Sequence, residues 1–366
     1  MIGDLPQPKG RPVENRDLTR DLLSRRNVLQ EIWTHLPVWF LFIESWGILN
    51  IFMANAPQIW FDQLGISRTA FALLSLPISL WFYAYYRVRL RASTKSFDRR
   101  KVHRRVLAVA FGLPLLTWAW YTACPCCRYE LSSAAFRRLF ELSNLFWALA
   151  IMIHTILHRG VRGYVTFFVV AFFYGMILEN SGIYFGFFYE PHFVGYVGKL
   201  PAPLATMVGW CIIFTCCITL IEYFREHSPR LAASPVLTAL ATTALALSAD
   251  AQLDPLASFP NMFWHWNPAL SPWWFGVPFC NYAAWCGAFF AFSWAYFTFR
   301  DRGDLTFWQK SGRLLVLTPS IAVLGGSIWL ALMLVCETFG GPPGAHYPTL
   351  QILGAFLDKI RPYELP

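Results

Sequence analysis

The chain has 366 residues, 56% of them hydrophobic and 14% charged, with a mean hydropathy of +0.41 and a formal net charge of +9. Soluble globular domains carry about 25% charged residues, so the composition excludes a soluble domain and indicates an all-α, polytopic transmembrane bundle. The positive charge does not point to nucleic acid, because no basic face is interleaved with base-stacking aromatics.

Residues 1–31 read as a polar, basic cytoplasmic tail, whose DLTRDLLSRRNVLQEIW stretch has the pattern of an interfacial amphipathic helix. The first apolar run begins too late and runs too long for a cleavable leader. Residues 32–366 read as a single transmembrane domain of roughly nine spans. In chain order these are 32–53, 70–86, 106–123, 142–157, 164–179, 203–223, 235–248, 279–299 and 314–335. Only seven of the 30 Lys and Arg residues fall on one side of this arrangement. By the positive-inside rule the N-terminus is then cytoplasmic, which suits a bacterial inner membrane. The basic loop YRVRLRASTKSFDRRKVHRR fits a topology determinant at an anionic lipid surface.

Charge is expensive near hydrocarbon, so intramembrane acids invite a functional reading. Glu44 lies inside the first span with Asn50 nearby, and His154 lies inside the fourth. Each also reads as a buried, hydrogen-bonded core group. Glu179 ends the fifth span and Asp250 follows the seventh, so nine spans put both at one end. The loops 180–202 and 249–278 then share that face. Asp254 precedes Pro255, a pairing that favours a turn. Among the nine cysteines, Cys124, Cys126 and Cys127 form a CPCC cluster. That cluster lacks a second Cys/His pair at zinc spacing and fits interface cysteines or one disulfide.

Two blocks carry a resemblance. The first contains Glu179, Gly182, Tyr184, Gly186, Tyr189, Pro201, Pro203 and Trp210. The second contains Asp250, Asp254-Pro255, Trp264, Trp266, Gly276, Pro278, Asn281 and Trp285. Together, over roughly residues 140–340, they resemble the membrane-bound carotenoid hydratases that act on γ-carotene-type and bacterioruberin-type ψ-ends. The sequence departs from that pattern at Ala251, where the family tends to carry Leu, and at Ala284, where a Gly is expected. A Gly before the Trp pair is also absent, and the N-terminal spans are extra.

The resemblance implies a cofactor-independent hydro-lyase that adds water across a terminal isoprenoid C=C to leave a tertiary alcohol. An alkene is a poor base, so a placed acid must protonate it, and a second group must handle water. The expected catalytic residues are Asp250 as proton donor, Glu179 as its partner for water, and Asp254. Tyr184, Tyr189, Trp210, Trp264, Trp266, Trp274, Asn281 and Trp285 are the expected substrate contacts, although Trp and Tyr are also ordinary interfacial residues. The expected partners are a carotenoid or other long isoprenoid and membrane lipid, with no metal or other cofactor. An isoprenoid cyclase or isomerase would use the same protonation, and a lipid-binding or transport protein would need only a polar pocket. The eight dispersed histidines argue against a di-iron hydroxylase.

Overall fold

The computed structural model describes residues 28–48, 58, 61–62, 67–92, 97–123, 134–190, 193–258, 263–270 and 272–339. The expected tail up to residue 27, Asn50 and the CPCC cluster lie outside the described residues. The described chain is almost wholly helical, as an apolar chain in lipid must be, because a helix satisfies its backbone groups internally. Helix α1 (Val28–Thr34) leads into α2 (Leu36–Ile43), which continues as a π-helical turn over Glu44–Ile48. Next come α3 (Arg68–Ala72), α4 (Leu76–Ala92) and α5 (Phe97–Ala123).

The rest of the bundle is α6 (Ala134–Tyr164), α7 (Ala171–Tyr184), α8 (Leu204–His227), α9 (Pro229–Ala233), α10 (Pro235–Ser258), α11 (Phe279–Arg300) and α12 (Phe307–Phe339). Five helical stretches among the described residues are long and apolar enough to cross a membrane: Arg68–Ala92, Arg137–Tyr184, Leu204–His227, Pro235–Pro255 and Phe307–Phe339. Nine were expected. Part of the difference is one of counting: the expected fourth and fifth spans are the two arms of a single 48-residue stretch bent at Gly160. Another part is α11, whose 22 residues are long enough but whose Asn, Ser, Trp and Tyr lower its hydropathy.

Contacts along α8 set the directions of its neighbours. Glu141 of α6 binds the backbone amides of Val194 and Gly195, just before α8 begins, while Arg159 pairs with Glu222 near its end. Helix α6 therefore runs parallel to α8. In α7, Asn180 contacts Met207 and Cys211 contacts the Phe168 carbonyl, so α7 runs antiparallel. The 48-residue stretch thus folds back on itself, and the break is Gly160, whose φ of 68° is open to glycine at little cost. Helix α8 is central, with 72% of its most apolar window buried, against 17% for the peripheral α12.

Helix α10 begins with a Ser234 cap, which accepts from the Leu237 amide at 3.2 Å, and with Pro235 in the first turn. The hydroxyls of Thr242 and Thr243 return to carbonyls four residues back, which satisfies them inside the helix. The helix does not stop at 248. It continues through Asp250, Asp254 and Pro255 to Ser258, which corrects the expected loop and the expected turn at Asp254. Pro255 has no N–H for the Ala251 carbonyl. The indole N–H of Trp274 donates to that carbonyl instead, at 3.2 Å.

Beyond α10, four short strands form two pairs. Strand β1 (Phe188–Tyr189) pairs antiparallel with β2 (His265–Trp266), and β3 (Pro272–Trp274) with β4 (Val277–Pro278). The β1–β2 pairing sets Phe188 opposite Trp266 and Tyr189 opposite His265, joining the loops that follow α7 and α10 on one face.

Trp274→Phe keeps the ring and removes the donor to Ala251. The variant is expected to lose about 1–3 kcal/mol of stability, seen as an earlier thermal transition in detergent. An unchanged transition would show that the helix does not need this bond.

Candidate active site: a carboxylate cluster

Four helices and one loop meet at the end of the bundle where α7 and α10 finish. Glu179 is placed by α7, and its Oε2 accepts from the indole N–H of Trp210 on α8 at 2.6 Å. Gly175 makes this approach possible, because a Cβ there would stand 2.7 Å from the Cβ of Trp210. Trp210 faces Trp285 of α11 at 4.9 Å, and Trp285 stacks on Phe289 at 5.3 Å. One turn before Trp285, the side-chain amide of Asn281 donates to Asp250 Oδ2 at 3.0 Å and also to Asp254 Oδ2.

Asp250 is fully buried, and Asp254 is 5% exposed. Four residues apart on α10, they present carboxyls to the same side of the helix, where the Asn281 amide binds both. Glu179 lies within electrostatic reach of both.

A fourth acid was not expected. Glu190 directly follows β1 and is 3% exposed. It lies within electrostatic reach of Glu179 and Asp254. Burial pushes its pKa well above the usual carboxylate range. The nearby charge of Glu179 raises it further, and a bond to Thr206 pulls back only in part. The hydrogen bonding agrees. Thr206 Oγ1 lies 3.1 Å from Glu190 Oε2 and 3.0 Å from the Pro203 carbonyl, but a hydroxyl has one proton to give. Thr206 donates towards both acceptors, so its single proton is divided between them and its pull on the Glu190 carboxyl is weak. The Tyr196 hydroxyl holds the Glu190 backbone carbonyl at 2.7 Å. In the sequence Glu190 sits in a short loop with no periodic pattern around it, and only its adjacency to Tyr189 marked it.

Among the expected substrate contacts, Trp210 and Asn281 bind the carboxylates directly, and Trp285 packs on Trp210. Trp274 holds the α10 backbone beside it. Tyr189 packs on His265 at 4.9 Å and Trp266 on Phe188 at 5.5 Å, within the β1–β2 cover. Tyr184 and Trp264 are half-buried, and neither hydrogen-bonds to the carboxylates. Tyr282, also unexpected, lies within electrostatic reach of Asp250 and Asp254. Asp250 Oδ1, Glu190 Oε1, Trp266 Nε1 and the Tyr282 hydroxyl have no hydrogen-bond partner among the described residues.

Glu44 lies on the π-helical turn that extends α2, outside these contacts. His154 is buried, with Nε2 3.2 Å from the Thr34 carbonyl and its ring 4.2 Å from that of His158. The histidines are therefore not all dispersed, since these two stand one helical turn apart.

The fold and site define a polytopic helical membrane protein with a buried carboxylate cluster under an aromatic cover. The sequence profile of the carotenoid biosynthesis proteins matches residues 140–341, more than half of the chain and including the whole cluster. The chain belongs to the carotenoid biosynthesis protein family. No curated protein and no solved structure matches it.

The neutral Glu190 has a consequence for stability. The folded state keeps a proton that the unfolded chain loses above the ordinary carboxylate range, so its contribution is full at low pH and is lost as pH rises. Wild-type melting temperature should fall as pH rises above about 5, and Glu190→Gln should fall less steeply. Parallel curves would place the carboxyl of Glu190 in the ionised form.

Proposed function

We propose that the protein is a carotenoid hydratase, adding water across the terminal C=C of a ψ-end. The observation that carries this reading is the convergence of Glu179, Glu190, Asp250 and Asp254 in one buried, aromatic-lined site, within the region shared with carotenoid biosynthesis proteins. Such a site suits acid chemistry on an apolar substrate. The Asp250–Asp254 pair supplies the acid. Asp250, whose Oδ1 has no protein partner among the described residues, gives its proton to the less substituted alkene carbon. The electron pair of the double bond forms the new C–H bond and leaves a tertiary cation.

Desolvated aromatic faces stabilise a cation by up to about 2 kcal/mol each, a role suited to Trp210, Trp266 and Trp285. Water attacks the cation through oxygen, and Glu179 takes the excess proton. Transfer of that proton back to the aspartate pair resets the site, so the net change is addition of one water. Residues of this chain supply every proton transfer in the scheme.

The test is a host accumulating lycopene-type carotenoids, assayed anaerobically in ¹⁸O-labelled water. Wild type is expected to give a labelled tertiary alcohol. Asp250→Asn should lower turnover about a hundredfold or more at equal membrane abundance, and Glu179→Gln should act similarly. A product without added oxygen would favour a cyclase or isomerase, and label arriving only from ¹⁸O₂ would defeat the hydratase reading.

In this reading the protein lies in a bacterial inner membrane with a cytoplasmic N-terminus and the cluster towards the outer leaflet. The distribution of Lys and Arg supports that orientation. With accessible native cysteines replaced, an impermeant thiol reagent added outside should label Cys at exposed position Lys199 and miss one at exposed position Arg230. The reverse pattern would invert the orientation.

A further inference from the structure

The opposite end of the bundle carries a second polar site. Near the end of α8, Glu222 is 7% exposed and accepts from Arg159 at 2.7 Å, Arg300 at 3.0 Å and the Tyr296 hydroxyl at 2.8 Å. Arg159 is fixed further by Thr219 at 2.9 Å and by lying 5.1 Å over the Phe167 ring. These two guanidiniums are thus held in place by protein before any ligand arrives. Beside them is a half-open cavity of about 430 Å³. Its wall carries Arg159, Arg162, Arg300 and Lys310 and the hydroxyls of Thr166 and Ser311, with no carboxylate among the described lining residues.

The charges here do not balance. Glu222 serves two arginines, and the neighbouring Asp301 is shared between Arg225 and Arg300. Arg162 and Lys310 have no carboxylate partner among the described residues. Arg162 lies 5.3 Å over the Phe307 ring, and Lys310 donates to the Arg300 carbonyl at 2.8 Å. A concave site of preset guanidiniums, an ammonium and hydroxyls matches the oxygens of a phosphate. Its wall also has the apolar Phe299, Leu305, Phe307 and Leu314, and Val161 and Trp308, next in sequence to Arg162 and Phe307, are exposed. Basic pockets between membrane helices take lipid headgroups by this chemistry.

We propose that this cavity is a phosphate-binding site, separate from the carboxylate cluster, whose ligand is the headgroup phosphate of an anionic phospholipid. The test uses the full-length protein in detergent. Thermal stabilisation is titrated with phosphatidylglycerol, with phosphatidylcholine, whose choline offsets the phosphate charge, and with inorganic phosphate. Arg162→Ala/Lys310→Ala removes two cavity cations that hold no ion pair. Arg230→Ala/Arg313→Ala removes two exposed cations outside the cavity and serves as the control.

Phosphatidylglycerol should stabilise wild type and control alike, with apparent affinity about tenfold or more weaker in the cavity variant. Stabilisation by inorganic phosphate with the same dependence would support the site and assign it a soluble anion. Should the double variant fail to fold, Arg162→Gln alone gives the same comparison. Equal responses of cavity and control variants, or equal stabilisation by the two lipids, would overturn the proposal.

Discussion

Proline has no N–H to give, so at Pro255 the Ala251 carbonyl loses its helical donor, and the Trp274 indole takes that place at 3.2 Å. A carbonyl left without a donor at this point would carry the cost of an unmet hydrogen bond. With the indole in place, α10 runs a full turn past Asp250, and Asp254 falls on the same face. The donor comes from the β3–β4 hairpin, whose tip residues Phe275 and Gly276 both have positive φ, at 49° and 89°. Phe275 is not glycine, so this turn stores strain, and the edge contact of its ring with Phe71 at 5.9 Å helps hold it. A defect in one helix and a strained turn in the facing loop thus compensate each other.

The aromatic column does the same for the other members of the cluster. Trp210, Phe214, Trp285, Phe289 and Phe292 interleave from α8 and α11, and Tyr174 of α7 joins them at 5.1 Å from Phe292. In this dry interior a protein partner offsets the cost of burying a polar group. Tyr174 donates to the Ala288 carbonyl at 3.0 Å, and Trp210 donates to Glu179. Trp210 therefore acts twice, as apolar filling beside Trp285 and as the donor that fixes the Glu179 carboxylate. Gly175 makes the double role possible, since any larger residue there would push the indole away from the acid.

The helical class was legible from composition, and the meeting of Glu179 with Asp250 followed from counting spans between them. What escaped the sequence has specific physical causes. Asp-Pro favours turns in general, and only the distant Trp274 donor, about 20 residues away and invisible as a local pattern, reverses that preference. Glu190 lies in a loop whose burial depends on β1 pairing with β2, a contact some 75 residues long-range. The bend at Gly160 separates two arms that the hydropathy pattern showed as two spans, but nothing local marked Gly160 itself as the break. Tyr184 and Trp264 carried the same aromatic signal as Trp210 and Trp285. Only the packing of α8 against α11 separates rings that join the site from rings that do not.

The separation of the two polar sites constrains what the bundle can do. Trp210, at the level of the carboxylates, and Glu222, which holds the arginines, are 12 residues apart on α8, or about 18 Å at helical rise. Trp210 is six residues inside the start of α8, so Glu179 lies about 9 Å below that helix end, while Glu190, bound at Thr206, lies nearer to it. Groups at such a depth belong neither to the open interface nor to the middle of a hydrocarbon core about 30 Å thick. An apolar chain arriving from the bilayer would place its end group there without leaving lipid along most of its length. Water would have to enter from the nearer face, past the β1–β2 cover. The arginine site lies at the far end of α8, with an apolar aromatic core between. Neither site contributes a side chain to the other, so a substitution that empties one leaves the hydrogen bonds of the other intact.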